Sequence, residues 1–434
     1  KHDRSVPDPS QSILAQVTQD RSTCYHNPHG IDVRASLVGL EAVVGSPIFD
    51  ETGAVVGVLY GSKDVASVSP GMTIAELEAQ LVSILANMVT SGLIRQSMQE
   101  KLRHSEKLAA VGQALTPIEQ LGDKLYFDEN LSEPSGQACA SCHLPPSFVD
   151  PDSHFPVSEG VIPGLFGGRN SPMSAYAMYA PTRFFDDEEG LWIGGQFWDS
   201  RATGEVLGDP LADQALGPFL NPVEMANPSK TEVIADVAAS DYAELFEQVW
   251  GPGSLADVEV AYNQVALSIA AFERTRLFGQ FSSQYDAYLE ACLIEGIDMN
   301  DCAQGIGKAA QNVAKKYFSK EELRGFELFM GDNNNDGVLD KGEGALCVGC
   351  HVVDWTADPG NVVVPAWAPA GWVPPLFTDF TYDNLGVPKN VEYPLDPNAP
   401  VDLGLGAVVG DPDEDGKFKV MTVRNIGLTA PYAH

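Results

Sequence analysis

Ala138-Cys139-Ala140-Ser141-Cys142-His143 is the stretch on which this chain is organised. Two cysteines three positions apart with a histidine directly after them form the c-type haem signature. The thiols add to the haem vinyl groups, and the adjacent histidine turns under the ring as axial ligand to iron. The pattern returns at Cys347-Val348-Gly349-Cys350-His351, 208 residues later. A lone C-x-x-C also suits a redox pair or half of a zinc site. Two copies that both end in histidine, in a chain with seven cysteines, speak for two covalent haems instead. The spacing gives each haem its own domain of about 150 residues.

The remaining composition narrows the class. Of 434 residues 44% are hydrophobic, and the net charge is −34. Nucleic acid is excluded as a partner, because phosphate binding needs basic surface. No run of eighteen apolar residues occurs, so no membrane span is expected. Most of the acidity reads as solubility, and part of it suits steering of a basic electron-donor protein. Lys1 to Ser5 lack the apolar segment of a signal peptide. Covalent haem attachment nevertheless points to export to the periplasm. The text is therefore read as starting after processing or after its true beginning. Cys292 and Cys302, ten positions apart, allow either a small disulfide or two free thiols. Cys24 receives no role.

Further words surround the two haem turns. Leu121-Gly122-Asp123-Lys124-Leu125-Tyr126-Phe127-Asp128 precedes the first. Gly168-Arg169-Asn170-Ser171-Pro172, Phe197-Trp198-Asp199-Ser200-Arg201-Ala202, Leu220-Asn221-Pro222-Val223-Glu224-Met225 and Ala271-Phe272-Glu273-Arg274-Thr275 follow it. Leu385-Gly386-Val387-Pro388, Val423-Arg424-Asn425 and Leu428-Thr429-Ala430-Pro431-Tyr432 come after the second. In this order, over residues 117–434, they resemble the bacterial di-haem cytochrome c peroxidases and their MauG-type relatives.

That resemblance implies a mainly α protein with two cytochrome c-like haem domains, 117–278 and 279–434, and reduction of hydrogen peroxide to water. The first haem would do the chemistry. The second would relay electrons from a small donor protein, a cytochrome c or a cupredoxin. Glu224 falls at the family's catalytic acid, Gln214 and Pro218 match its distal-pocket spacing, and Trp198 matches the tryptophan between the haems. Cys139, Cys142 and His143 would hold the first haem, and Cys347, Cys350 and His351 the second. Where gated relatives carry a blocking histidine, eight residues before Asn170, this chain has Ile162. His154 is near but out of register. The second haem's distal ligand would lie past the Tyr432-Ala433-His434 word, and Met421 is not a candidate for it. Two rivals stand beside the peroxidase: a MauG-type oxidase of a partner protein, and a haem-based redox sensor. A homodimer is a further open expectation.

Calcium is expected at two places. Asp332-Asn333-Asn334-Asn335-Asp336-Gly337-Val338-Leu339-Asp340-Lys341-Gly342-Glu343 fits a twelve-residue EF-hand loop. Asp332, Asn334, Asp336, the Val338 carbonyl, Asp340 and Glu343 would be its ligands, with Leu323, Phe326 and Phe329 as the apolar face of the preceding helix. The family resemblance adds an interdomain calcium on Asn170 and the carbonyls of Thr429 and Pro431.

Residues 1–70 read differently. Glu41–Phe49 and Ala54–Tyr60 alternate as two strands around the turn Asp50-Glu51-Thr52-Gly53. They resemble the closing hairpin of an α/β GAF domain, of which only a fragment is present. Over 71–116 the spacing of Ile74, Leu77, Leu81, Ile84 and Met88 predicts a long helix of coiled-coil type. Its end, Lys101 to Gly112, resembles the start of a histidine-kinase dimerisation helix without a phosphoacceptor, and Thr116-Pro117 breaks it. Either this part is a fused, exported sensor, or residues 1–115 do not belong to the same native protein.

Overall fold

The computed structural model describes residues 17–19, 22–26, 41–49, 55–64, 82, 114–150, 156–331, 345, 347–354, 356–357, 364–368, 372–387 and 400–429. Two compact units divide the chain, residues 1–107 and 108–434.

In the first unit, strands β1 (Cys24–His26), β2 (Glu41–Phe49) and β3 (Val55–Asp64) form an antiparallel sheet in sequence order. Val44 lies opposite Gly61, and the register shifts at Ile48/Phe49. Thr23 and Ser46 hydroxyls meet at 2.8 Å. The two read strands are present, β3 running on to Asp64. A three-stranded sheet is common to many folds and does not by itself make a GAF domain. Of the expected long helix, Val82 is helical and most of the remainder lies outside the described residues.

The second unit starts where the sequence breaks. Helix α1 (Pro117–Tyr126) has proline at its first position, where no amide hydrogen is needed. Glu119 accepts a hydrogen bond from the Thr116 amide at 2.7 Å, closing the first turn. Its inner face, Leu121, Leu125 and Tyr126, crosses the long helix between Val258 and Glu273. Gly122 makes that crossing possible, since a Cβ there would lie 2.0 Å from the Ser268 carbonyl oxygen. On the long helix Tyr262, Val265, Ile269 and Phe272 are all within 2% exposure, and Val258 at its start is half-buried. Tyr126, Phe148, Phe272 and Phe278 then pack edge to face, with Phe148 stacked on Phe278 at 3.8 Å. Each such ring contributes about 1.5–3 kcal/mol through burial.

A second apolar cluster gathers Tyr288, Leu289, Cys292, Cys302, Ala310 and Val313. Two helices, Met299–Gln304 and Gly307–Tyr317, fold onto it. Cys292 and Cys302 are joined in a fully buried disulfide, their Cα atoms 6.4 Å apart. Of the two alternatives left open by the sequence, the structure takes the bridge, a link typically worth about 2–4 kcal/mol. Helix Lys320–Met330 packs Leu323, Phe326 and Phe329 on this cluster and ends at Gly331, whose φ of +84° suits glycine. The loop Asp332–Glu343 that follows lies outside the described residues.

Several bonds tie the first haem turn's surroundings to the C-terminal segment. Arg169 forks onto Asp402 at 2.7 and 2.8 Å, and the Tyr382 hydroxyl donates to the Gly194 carbonyl. Arg424 and Asp286, both buried, pair at 3.0 and 3.1 Å. Removing one partner of such a pair costs about 3–5 kcal/mol. No helix among the described residues is long and apolar enough to cross a membrane.

Candidate active site

Cys139–Cys142 forms one helical turn, with the Ser141 hydroxyl accepting from the Ala138 amide at 3.0 Å. The His143 amide closes the turn on the Cys139 carbonyl at 3.0 Å. Tyr126, from the crossing helix, donates to the His143 carbonyl at 3.1 Å and meets the Ser174 hydroxyl at 2.9 Å. The histidine is thus held through its backbone by the core. Burial pulls its pKa down to about 4, against an opposing contribution from the Phe148 carbonyl. At neutral pH the imidazole is uncharged and has a lone pair for a metal. Burial pushes the Cys142 thiol up to about 11 and the Cys139 thiol higher still, the latter helped by nearby Glu273. Both thiols are unbridged and so free to form thioethers with haem vinyl groups. Among the described residues no three His, Cys, Asp or Glu side chains converge to cage a metal ion.

These three residues line a cavity of about 380 Å³, in the range of cofactor sites. Gln214, Pro218, Glu224, Trp198 and Asn170 line the same cavity. Gln214 comes from a short helix (Pro210–Ala215) capped by Asp209, which accepts from the Leu211 amide at 2.9 Å. Pro218 opens the next turn, which delivers Asn221. Asn221 donates from its side-chain amide to Glu224 at 2.8 Å, and its carbonyl accepts from the Glu224 amide at 3.0 Å. Across the loop the Val161 amide donates to the Glu224 carbonyl at 2.8 Å. Gly160 permits that approach, because a Cβ there would sit 2.4 Å from the Val223 carbonyl oxygen. Burial raises the pKa of Glu224, while Arg201 and the Asn221 bond pull it back. The carboxyl is therefore both fixed and closer to neutrality than a surface glutamate.

Trp198 sits in a tight knot in which Gly194, Gly195, Phe197 and Ser200 all have φ between +65° and +87°. Its indole N–H donates to the Asn170 carbonyl at 2.8 Å, and its own carbonyl accepts from the Lys419 amide at 2.9 Å. Asp199, beside it, is buried between Arg169 at 2.6 Å and Arg201 at 2.9 Å. The Arg201 guanidinium lies 3.6 Å over the Phe197 ring.

Two residues of this site carry no role in the sequence reading. Arg201 stands in a quoted word and lines the cavity near Glu224. Glu273, also within a quoted word, is 4% exposed and reaches the cavity wall. Burial lifts its pKa to about 8; Arg274 opposes the shift and Asp209 adds to it. The words pointed at both positions. The burial of Glu273 did not show.

The second motif folds similarly, as a turn over Cys347–Gly349 with the His351 amide on the Cys347 carbonyl at 2.8 Å. His351 Nδ1 faces the Phe377 carbonyl at 3.0 Å. A carbonyl accepts only, so Nδ1 carries the proton and Nε2 is left for a metal. Burial, with Asp383 beside it, raises the Cys350 thiol. Asp332, Asn334, Asp336, Val338, Asp340, Glu343 and Pro431 lie outside the described residues. Asn170 uses its side-chain amide on the Pro156 carbonyl at 3.0 Å, and Thr429 follows the turn Ile426–Leu428.

A fold with two such turns, each presenting a histidine held by the backbone around it beside two unbridged thiols, defines a two-haem c-type protein. The first turn opens on a cavity with a poised carboxyl. Comparison with known proteins agrees. Residues 116–292 match the family model described as di-haem cytochrome c peroxidase. The methylamine utilization protein MauG of Paracoccus denitrificans (strain Pd 1222) is 32% identical over 325 residues, 72% of this chain and 69% of that protein. The cytochrome c551 peroxidase of Nitrosomonas europaea is 28% identical over 327 residues, 74% of this chain and 70% of the relative. The crystal structure of the diheme peroxidase BthA from Burkholderia thailandensis E264 superposes with a TM-score of 0.57 at 26% identity, covering 74% of this chain and 68% of that one. The chain belongs to the di-haem cytochrome c peroxidase family and is an oxidoreductase with two c-type haems.

Proposed function

We propose that the chain reduces hydrogen peroxide to water in the cavity beside His143, with electrons passed on from the His351 side and supplied by a small donor protein. The observation that carries this reading is Glu224, half-buried and hydrogen-bonded, in the cavity wall with both thiols and His143. When bound, the first haem supplies the iron that polarises the peroxide oxygens. Glu224 has the position to take a proton from one oxygen and return it to the departing one, which is general acid–base work. Its raised pKa eases the return. Gln214 and Pro218 shape the wall on the same side. Trp198, bonded to Asn170 in the first half and to Lys419 in the second, supports a relay of electrons through its ring.

Ile162 is 38% exposed and does not line the cavity. An aliphatic side chain has no lone pair to give. Ile162 would therefore supply no ligand to the first haem. His154, the other histidine of this stretch, lies outside the described residues. The division into haem domains 117–278 and 279–434, export to the periplasm and calcium at Asp332–Glu343 complete the proposal. The buried disulfide supports an oxidising compartment. The family model matches from residue 116 onward, which gives no support to a sensor built on the GAF-like fragment.

Steady-state oxidation of reduced cytochrome c by peroxide tests the reading. Rapid turnover is expected. Slow turnover with a long-lived oxidised haem state and oxidation of a partner protein would replace it by the MauG-type activity.

A further inference from the structure

Three consecutive carbonyls after Val373 each have a different donor. The Pro375 oxygen accepts from Arg424 Nε at 2.8 Å and Nη2 at 2.6 Å. The Leu376 oxygen accepts from the Thr422 hydroxyl at 2.5 Å. The Phe377 oxygen is left facing His351 Nδ1 at 3.0 Å. Phe377 has φ of +58°, a region bulky residues avoid unless their surroundings over-determine them.

Those surroundings are visible. Arg424 is 6% exposed and forks onto Asp286, which is held in turn by the Ser283 amide at 2.9 Å and hydroxyl at 2.6 Å. Its guanidinium lies 4.5 Å from the ring centre of Phe281 and 5.4 Å from that of Phe377. On the far side of Phe377, the Thr378 hydroxyl donates to the Val420 carbonyl. The direction of the Phe377 carbonyl is thus set by residues 420–424, which do not themselves bond to His351.

We infer that Arg424, assisted by Thr422, is a positioning residue for the axial ligand of the second haem: it fixes the Phe377 carbonyl as acceptor for His351 Nδ1–H. A ligand histidine that donates a well-formed Nδ1–H bond is more basic at Nε2, and a more basic ligand favours ferric over ferrous iron. The residue then tunes the potential of the electron-receiving haem without touching iron. The assignment rests on haem attachment at Cys347, Cys350 and His351, and is independent of whether peroxide or a protein is the substrate.

Arg424→Lys and Thr422→Val, made in the full chain with haems covalently attached, test it. Haem content is measured first, then both midpoint potentials by spectroelectrochemical titration. Arg424→Lys keeps the charge and loses the fork onto Pro375 and Asp286. Its second haem should shift upward by about tenfold in the ferric/ferrous equilibrium, or 59 mV for one electron. The first haem should stay in place, and Thr422→Val should move the second in the same direction by less. A merely structural role would lower stability and leave the potential alone; an unmoved second-haem potential in both variants overturns the inference. Should Arg424→Lys fail to fold, Thr422→Val decides alone, with no shift counting against. One haem per parent chain would overturn this inference together with the two-haem assignment.

Discussion

Glu224→Gln isolates the proton step from the architecture around it. The amide has nearly the shape of the carboxyl, and its oxygen can still accept from Asn221 Nδ2 across the present 2.8 Å. A near-isosteric swap of this kind costs under about 1.5 kcal/mol of stability. Cavity wall, both thiols and His143 are therefore expected to stay as they are. What disappears is the ability to exchange a proton. General acid–base catalysis by one positioned side chain is worth roughly 10²- to 10⁴-fold, or about 3–5 kcal/mol of barrier at 1.36 kcal/mol per tenfold. The pH dependence carries a sign as well. Burial raises the Glu224 pKa, so the base form is lost on acidification at a higher pH than for an ordinary glutamate. That acid limb should be present in the parent chain and absent in Glu224→Gln. Arg201→Met should move it to higher pH, because Arg201 pulls the carboxyl down. The assay is peroxide turnover against a reduced donor over a pH series, with haem content and ferric spectra as controls. Parent-like turnover in Glu224→Gln, with haem intact, refutes the assignment.

The remaining expectations concern other parts of the chain. Glu273, lifted to about 8 by burial, keeps a proton that the unfolded chain releases near 4.5. Stability should thus fall as pH rises between those values, by at most about 1.4 kcal/mol per pH unit, and level off above the upper one. Glu273→Gln should flatten that slope in melting temperatures measured against pH; a slope that persists assigns it to another group. Electron paramagnetic resonance of the ferric chain should show a high-spin haem, since Ile162 offers no ligand; two low-spin signals alone would contradict this. Asp332→Ala with Glu343→Ala should lower bound calcium by one ion per chain, and unchanged stoichiometry on equilibrium dialysis rejects the EF-hand loop.

How much of this was readable without coordinates follows from distance along the chain. Cys139, Cys142 and His143 lie within one helical turn, and a turn's geometry is set by local backbone bonds. Spacing alone therefore predicts that two thiols and an imidazole come together. Gln214, Pro218 and Glu224 are nearly as local, joined by a short helix and two turns that their own caps define. The spacing of Val258, Tyr262, Val265, Ile269 and Phe272 is legible too, because helical periodicity is a property of the segment itself. Only the folded chain decided the rest. Glu273 becomes a buried, proton-holding carboxyl because Gly122 lets α1 press against Ser268, a contact between residues 146 positions apart. The ten-position separation of Cys292 and Cys302 permitted bridge or free thiols; two helices packing on one apolar cluster brought the sulfurs together. The partner of His351 is a backbone carbonyl 26 positions away, aimed by an arginine farther still along the chain. A carbonyl has no letter of its own in a sequence, and its direction is fixed only by what packs around it.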